Sequence, residues 1–366
     1  MTSLIEMRLP LWFILLVLPG FVCAQGNKPY LLDVTAIPSV SLEKEVRKAL
    51  VAPIKSIIDK VVPSPSGNAH DYISYGRYYW PDPATPNGLP FIKKDGHPNR
   101  DMIDKGDGKL LGAFVDNVET LALGWSQLHN PEAARRAGNW LRVWMITPAT
   151  RLNREFEYAQ IRMGTNHNHG SASGLIDTRS LIRVIDATRL LHGSPGLTAI
   201  EEKAVKEWFT DYLHWLTTSP NGRAEHKAKN NHGSWYLTQA VAISRFIGRD
   251  EQAKLFAHED FARINWQIDH DGRQPLETAR VDGLGYSVFN LEAQLRIACL
   301  AYPLGVDLWN YTTPQKGSLK KALDYLKTFD AAPQKWPHNQ LAKQDAGFLQ
   351  PLVKMAARLD VETQTK

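Results

Sequence analysis

The feature that most constrains this chain is a helical spacing of apolar residues, which recurs from about residue 41 almost to the end. In the first such segment Ser41 stands at a helix start, and Val46, Leu50 and Ile54 follow at the helix period. No alternating run of convincing strand length interrupts the pattern. The sequence therefore predicts an all-α fold, with helices over about 41–58, 110–128, 131–145, 173–191, 195–217, 232–247, 250–268, 287–302, 318–329 and 339–359.

Some of these segments are apolar on more than one side, whereas others keep one polar face. The segment that begins at Ala172 is of the first kind, and the segment over 201–208 is of the second. This mixture is typical of an inner ring of buried helices surrounded by outer ones. Helical hairpins stacked in this way form an incomplete α/α toroid (α/α barrel) with long loops over its cleft. Since no shift in composition marks a linker, we expect a single domain over residues 25–366.

The first 24 residues have the pattern of a secretory signal peptide. Arg8 precedes the apolar run 9–18, which is too short for a comfortable membrane span, and small residues lead to a cleavage site after Ala24. We therefore expect a secreted or periplasmic protein with no membrane segment after cleavage. Cys299 would be the one cysteine left in the mature chain, and its apolar helical surroundings predict a buried thiol.

Charge and histidine spacing limit the possible partners. Lys and Arg number 43 against 38 Asp and Glu, a formal net charge of +5, which is compatible with a polyanionic ligand. No basic block with interleaved aromatics indicates nucleic-acid binding. His167 and His169 stand at alternate positions, but no third metal ligand and no HExxH motif accompany them. We therefore expect no metal and no cofactor, and we expect a monomer.

Two long irregular stretches, 63–107 and 148–170, carry residues suited to a binding surface. Aromatic faces stack on sugar rings, and cations pair with carboxylates. Anchoring of the loops to the domain, or capping of the next helix, would explain the same residues. The candidate substrate-binding residues are Arg77, Tyr79, Trp80, Lys94 (with its neighbour Lys93), Tyr158, Gln160, Asn166, His167 and His169.

Two polar clusters lie about fifty residues apart. Asn230, Asn231 and His232 stand in a row where a helix is predicted to begin. Asn231 could cap that helix, but a cap explains only one of the three. Arg280 and Tyr286 flank a flexible pair of glycines, and their alternative interpretations are a structural ion pair and a half-buried ring. If the two clusters meet, they form a cleft for an acidic sugar.

These residues resemble those of the alginate-lyase-like polysaccharide lyases. The resemblance runs from about Tyr72 to Tyr302 and rests on several ordered phrases, at 79–83 with 95–96, 153–160, 230–232, and 280 with 286–291. The spacing from Arg280 to Tyr286 and the phrase 176–179 are most similar to polysaccharide lyase family thirty-eight, and next to family five. The resemblance implies an α/α toroid that cleaves uronic-acid polymers by β-elimination. It also implies a catalytic group of Asn231, His232, Arg280 and Tyr286.

β-Elimination needs a group that neutralises the substrate carboxylate, a base that takes the C5 proton, and an acid that protonates the leaving O4. Asn231 and His232 suit the first task, because they can donate hydrogen bonds to the carboxylate as negative charge builds up on it. Tyr286 suits the acid. It also suits the base if Arg280 stabilises the phenolate, since a free tyrosine has a pKa of about 10. His232 is the competing base.

The sequence thus predicts a polysaccharide lyase that cleaves a β-1,4-linked uronic-acid polymer by syn elimination and leaves 4,5-unsaturated uronate ends. H5 and O4 share a ring face in mannuronate and glucuronate, so the expected substrates are the poly-mannuronate blocks of alginate, or glucuronan. Two alternatives remain open. A glycoside hydrolase on the same toroid would use Asp116 with Glu119, or Glu277 with Glu292. A non-catalytic polysaccharide-binding protein would keep the cleft without turnover.

Overall fold

The structure is a computed structural model, and it describes residues 28–32 and 39–364. Within these residues the chain is predominantly helical. The α-helices are α1 (Ser39–Val51), α2 (Arg100–Ile103), α3 (Gly108–Leu128), α4 (Pro131–Leu141), α5 (Leu181–Leu190), α6 (Ala199–Thr218), α7 (Pro220–His226), α8 (Asn231–Phe246), α9 (Asp250–Gln267), α10 (Pro275–Thr278), α11 (Gly283–Ala301), α12 (Leu319–Asp330) and α13 (Gln350–Gln364).

Helices α3, α5, α8 and α11 form an inner wall, in which each helix packs on the next. All residues of α8 except His232 and Arg245 are buried. Helices α4, α6, α9 and α12 pack on the outside of this wall. A helix that is buried on every side belongs inside a domain, whereas an amphipathic helix such as α4 covers it. The predicted all-α, α/α-toroid fold is confirmed.

Four short strands occur in the long loops, where the sequence predicted none. β1 (Ile73–Tyr75) pairs in parallel with β4 (Tyr158–Ile161), and β2 (Tyr79–Trp80) pairs antiparallel with β3 (Ile92–Lys93). Strands of two to four residues are too short to show a recognisable alternation. The pairing of β1 with β4 joins the two loops, and it brings both of them to the same end of the toroid.

Helix bounds differ from the prediction in several places. The predicted helix over 41–58 ends at Val51, and the one over 131–145 continues after Leu141 as a short π-helix, Arg142–Ile146. Residues 172–180 form a 3₁₀-helix rather than the start of an α-helix. The turn-rich run after Ser219 is helical as α7, because Ser219 caps it and Pro220 occupies its first turn. The predicted helix over 339–359 is wrong in its first half, since α13 begins only at Gln350.

The predicted signal peptide, 1–24, lies outside the described residues. In the part of the chain that the structure describes, no helix is both long and apolar enough to cross a membrane. Cys299 is 2% exposed, so the prediction of a buried thiol is confirmed.

Helix α9 carries a fully buried carboxyl group, Asp260. Neither of its oxygens has a hydrogen-bond partner among the described residues. Burial raises the pKa of Asp260 to about 7, and nearby Arg263 opposes this shift. The folded protein therefore keeps a proton on Asp260 at pH values where the unfolded chain has already lost it, since an ordinary Asp titrates near about 3.9. Stability that depends on this proton is lost as pH rises from about 4 through 7.

We expect Asp260→Asn to stabilise the protein at pH 8 by on the order of 2 kcal/mol and to have little effect at pH 4, because asparagine is neutral at both. Urea unfolding of both proteins at several pH values measures this. A wild-type stability that does not fall relative to the variant across this range would contradict the assignment.

Candidate functional site

A cleft of about 460 Å³ lies where α8 and α11 begin. The residues of the two predicted polar clusters come together in it, since Asn231, His232, Arg280 and Tyr286 all line its wall. The long loops border the same cleft and contribute Arg77, Tyr79 and Gln160 from the predicted substrate-binding set, as well as Tyr78. The site is therefore assembled from two helix starts and two loops.

The three polar residues at the start of α8, Asn230, Asn231 and His232, differ in their structural roles. The cap is Asn230, not Asn231, because the Asn230 side chain accepts a hydrogen bond from the His232 backbone N–H (3.4 Å). Gly233 follows, and a Cβ there would lie 2.0 Å from the Ala228 carbonyl oxygen. The close approach of the two backbone segments therefore requires glycine at position 233. Since Asn230 caps the helix, the side chains of Asn231 and His232 are not used for capping.

Asn231 is held from behind by a buried carboxylate, Glu277. The backbone N–H and the side-chain amide of Asn231 both donate to Glu277, each at 2.7 Å. Burial raises the pKa of Glu277, and the two Asn231 hydrogen bonds oppose that shift. The Asn231 side-chain oxygen is buried without a hydrogen-bond partner among the described residues. Glu277 thus fixes the orientation of the Asn231 amide at the cleft wall.

His232 is held in the same way by Glu225 of α7. Nδ1 of His232 lies 2.6 Å from a Glu225 carboxylate oxygen, and Glu225 is 3% exposed. Because a carboxylate only accepts hydrogen bonds, the Nδ1 proton belongs to this pair, which leaves Nε2 for the cleft. His232 can use Nε2 as a base when neutral, or as a donor when protonated.

Arg280 stacks on the catalytic tyrosine candidate rather than bonding to its hydroxyl. Its guanidinium carbon lies 3.8 Å from the centre of the Tyr286 ring. Two of its nitrogens donate to the Asp95 carboxylate, at 3.0 and 2.7 Å. The ion pair that was the alternative interpretation of Arg280 thus exists, and it fixes the guanidinium on the ring face.

The Tyr286 hydroxyl lies 2.9 Å from the Tyr78 hydroxyl. Burial raises the pKa of Tyr286 well above its ordinary value, the Tyr78 hydrogen bond adds to the shift, and Arg280 only partly offsets it. Arg280 thus favours the phenolate, as a base role for Tyr286 would need, but in the free protein burial and the nearby Asp95 carboxylate outweigh its effect on the Tyr286 pKa. Tyr286 is a protonated group at neutral pH.

The other predicted substrate-binding residues do not line this cleft. Trp80 donates to the His97 carbonyl (2.8 Å), and Lys94 lies over its ring. Tyr158 packs on His169. Asn166 and His167 are exposed on a tight turn with left-handed backbone angles. A substrate role for Trp80, Lys94, Tyr158, Asn166, His167 and His169 stays a prediction.

Two cations that the sequence did not single out as ligands, Arg162 and Arg179, also line the cleft. Of the predicted pair Lys93 and Lys94, only Lys93 lines it. Arg162 lies over the Tyr79 ring (4.8 Å) and donates to Ser173. Arg179 lies over the Phe289 ring (5.2 Å). No local pattern distinguishes these arginines from surface arginines, because their position depends on how β4 and the 3₁₀-helix fold back over the toroid.

The carboxylate pairs required by the hydrolase alternative do not line the cleft. Asp116 and Glu119 both bind Arg183. Glu277 lies behind Asn231, and Glu292 accepts from Arg296 within α11. Among residues 28–32 and 39–364, no three His, Cys, Asp or Glu side chains are grouped to hold a metal ion. Two other carboxylates line the cleft, but both accept hydrogen bonds from neighbours, Asp177 from Ser74 and Gln160, and Asp282 from Gln340. Beside them the cleft combines an amide, an imidazole, a tyrosine and several cations, which suits the stabilisation of negative charge on a substrate carboxylate.

Comparisons with known proteins agree with this chemistry. The family model described as Alginate lyase matches residues 56–336. A crystal structure of an alginate lyase from Bacteroides ovatus is 35% identical, with a TM-score of 0.81 and coverage of 88% of each chain. Alginate lyase A1-III from Sphingomonas species A1 is 15% identical, with a TM-score of 0.55 over 92% of this chain and 90% of that chain.

A variant of alginate lyase A1-III complexed with a tetrasaccharide is 14% identical, with a TM-score of 0.59 over 93% of this chain and 90% of that chain. At this identity the A1-III structures show a shared fold. No functionally curated protein matches the chain.

Proposed function

We propose, from the premise that this chain belongs to the alginate lyase family, that it cleaves β-1,4-linked uronic-acid polymers by syn β-elimination and leaves 4,5-unsaturated ends. Family membership makes it a polysaccharide lyase. The observation that carries the finer proposal is the meeting of Asn231 and His232 with Arg280 and Tyr286 in one cleft. Poly-mannuronate blocks of alginate are the first candidate substrate, and glucuronan is the second.

Asn231 neutralises the substrate carboxylate in this proposal, through the Nδ2 hydrogen that it does not donate to Glu277, and His232 joins it through Nε2 if Tyr286 is the base. Removal of the C5 proton sends negative charge into the carboxylate, and donors that are already held in place lower the barrier because they need not reorganise. Glu277 and Glu225 support this role, since they hold the amide and the imidazole from behind at 2.7 and 2.6 Å.

Tyr286 is the acid that protonates the O4 leaving group. Its raised pKa supports this role, because the hydroxyl keeps its proton until a strongly basic oxygen develops. Tyr78 and Arg280 support it by fixing the hydroxyl and the ring, respectively.

Either Tyr286 or His232 can take the C5 proton, and the two assignments of the base predict different experimental results. If Tyr286 is both base and acid, the substrate must carry H5 and O4 on one ring face, and activity keeps rising towards high pH. If His232 takes the proton through Nε2, the reaction needs no deprotonated Tyr286, and activity does not depend on reaching the raised pKa of that residue. With two separate groups, guluronate, whose H5 and O4 lie on opposite faces, also becomes a possible substrate. The raised pKa of Tyr286 in the free protein favours His232.

A panel of polymers tests the function. Purified protein is incubated with poly-mannuronate, poly-guluronate and glucuronan while the absorbance of the unsaturated product is followed. We expect a rise with poly-mannuronate, or with glucuronan. No rise on any of these polymers would reject the lyase proposal, and binding without turnover would favour the polysaccharide-binding alternative.

We expect Glu225→Gln to lower kcat by roughly tenfold to a hundredfold, by analogy with the loss of carboxylates that orient metal-bound histidines. A neutral amide no longer holds the imidazole through a charge-assisted hydrogen bond, so Nε2 is less well positioned in the cleft. Glu259→Gln is the matched control, because Glu259 pairs with a different histidine, His226 of α7, and neither residue lines the cleft. Equal kcat values for the two variants would contradict a positioning role for Glu225.

We also propose a single lyase domain over residues 25–366, released by cleavage after Ala24 into the periplasm or the medium. The proposed partner is the anionic polysaccharide itself, bound by a monomer.

A further inference from the structure

A segment near the end of the chain lies across the start of α11. This segment, residues 337–349, which we call the strap, joins the 3₁₀-turn Pro333–Lys335 to α13 without forming a helix. Trp336, just before it, is 7% exposed, and Leu349, at its end, is fully buried. The Leu349 backbone N–H donates to the Asp330 carboxylate (3.0 Å), so the strap is fixed to the domain at both ends. The match to the alginate lyase family model ends at residue 336, and the strap lies beyond the matched region.

The first turn of α11 takes its hydrogen-bond acceptors from the strap. The first N–H groups of an α-helix have no partner within the helix, and Asp282, which precedes α11, forms no side-chain cap. The Gly283 N–H instead donates to the Asn339 carbonyl (2.9 Å), and the Leu284 N–H donates to Oε1 of Gln340 (3.0 Å). The strap thus replaces an N-cap with groups that lie 56 residues further along the chain.

Gln340 also binds the carboxylate of Asp282, which lines the catalytic cleft. Nε2 of Gln340 donates to that carboxylate, and the two residues form an antiparallel backbone bridge. Burial raises the pKa of Asp282, and hydrogen bonds from the Ala342 backbone and the Gln340 side chain oppose this shift. One amide of the strap therefore joins two parts of the helix start, the side chain of Asp282 and the backbone N–H of Leu284.

The residues held by Gln340 lie one helical turn from Tyr286. The Tyr286 backbone N–H donates to the Asp282 carbonyl (3.0 Å), so the position of Asp282 determines where the Tyr286 side chain leaves the helix. Gln340 itself does not line the cleft. It can therefore act on the reaction through the groups that it holds, and not by contact with the substrate.

The strap also contacts the loop that carries Asp95, the ion-pair partner of Arg280. A Cβ on Gly96 would lie 2.3 Å from a Val281 methyl carbon and 3.0 Å from a Leu341 methyl carbon. The φ of Gly96 is 75°, in the left-handed region that favours glycine. The strap therefore supports both the turn before the proposed acid and the loop whose carboxylate holds the stacked guanidinium.

We propose that Gln340 is a positioning residue for proton transfer: by holding Asp282 and the first turn of α11, it keeps the Tyr286 hydroxyl at the place where O4 leaves. The proton transfer rests on the proposed lyase function, whereas the hydrogen bonds that fix the turn do not. A displacement of about 1 Å in a site can cost about a hundredfold in rate. Loss of the Gln340 hydrogen bonds should therefore lower kcat more than it raises KM.

Initial rates of Gln340→Ala, on the polymer that the wild type cleaves, test this role. We expect kcat to fall roughly tenfold to a hundredfold, with KM little changed. Hydrogen exchange over residues 283–290, followed by mass spectrometry, should be faster by roughly twofold to tenfold, the effect of about one lost hydrogen bond. Gln344→Ala is the matched control, because Gln344 is the other glutamine of the strap and does not line the cleft. We expect wild-type kinetics and exchange for the control.

A pair of substitutions that reverses the donor and the acceptor separates a specific hydrogen bond from general loosening of the strap. Gln340→Glu places two carboxylates in contact, so it should lose at least as much kcat as Gln340→Ala. Adding Asp282→Asn restores a donor opposite an acceptor, and we expect the double variant to recover kcat roughly fivefold to tenfold relative to Gln340→Glu alone. Asp282→Asn alone completes the cycle. Additive effects of the two substitutions would mean that the two side chains act independently.

Each result decides one part of the proposal. If Gln340→Ala loses no more kcat than Gln344→Ala in an active lyase, the positioning role alone is overturned. Unchanged exchange over 283–290 overturns the fixing of the helix turn by Gln340. A wild-type protein that cleaves no uronate polymer contradicts the lyase function, and the exchange rates still decide whether Gln340 fixes the turn. Gln340→Met, which keeps the length of the side chain, repeats both measurements if the alanine variant fails to fold.

Discussion

Replacing Tyr286 by phenylalanine should lower kcat by about a thousandfold, within the range of roughly 10²–10⁴ for loss of a general acid or base. The change removes only the hydroxyl. The ring on which Arg280 stacks at 3.8 Å remains, so the ion pair with Asp95 should stay in place. The lost hydrogen bond to Tyr78 should cost about 1 kcal/mol of folding stability.

Initial rates on the active polymer, together with urea unfolding, measure both effects. Tyr78→Phe is the matched control, because it removes the other hydroxyl of the same hydrogen bond. We expect it to lose far less activity, since in the proposed mechanism Tyr78 positions the acid but does not donate the proton. If Tyr286→Phe keeps kcat within tenfold of wild type, Tyr286 is not the acid.

The second large effect is expected for Asn231→Ala. Loss of one donor to a developing oxyanion lowers kcat by roughly 10²–10³, and Asn231 is proposed to stabilise the substrate carboxylate in that way. The variant also leaves Glu277 buried with one hydrogen bond fewer. It should therefore lose about 1–3 kcal/mol of stability.

Asn290→Ala separates the two effects of the Asn231 change. Asn290 is a fully buried asparagine of α11 that donates to Gln267 and Gln274 and does not line the cleft. It should lose comparable stability while keeping kcat. If both variants lose activity only in proportion to their unfolded fraction, Asn231 has no role in the reaction.

The four residues proposed as the catalytic group do meet in one cleft, and the sequence singled them out because each stands in a local context that is unusual for a core. Asn231 and His232 follow a third polar residue at a helix start, and Arg280 and Tyr286 flank two glycines. What could not be predicted is the set of carboxylates that hold them. Asp95 is 185 residues from Arg280 and Glu277 is 46 from Asn231, and nothing local to a carboxylate says which distant side chain it will meet.

The helical ring was predictable for a related reason, since the sequence shows a mixture of helical segments that are apolar on more than one side and segments that keep one polar face. The loops were less predictable. In the two-residue strand β3, a shift of one position decides whether Lys93 or Lys94 meets the cleft, and so short a segment has no pattern that fixes the choice. Pairing with β2 turns Lys93 towards the cleft and leaves Lys94 over Trp80.

The central claim is that the glycosidic bond is broken by elimination. Cleavage of poly-mannuronate in water labelled with heavy oxygen, followed by mass spectrometry of the products, tests it most directly. Elimination adds no water, so we expect products that carry an unsaturated end and no label at the cleaved bond. Products with saturated ends and one labelled oxygen per cleavage would mean hydrolysis, and would contradict the account.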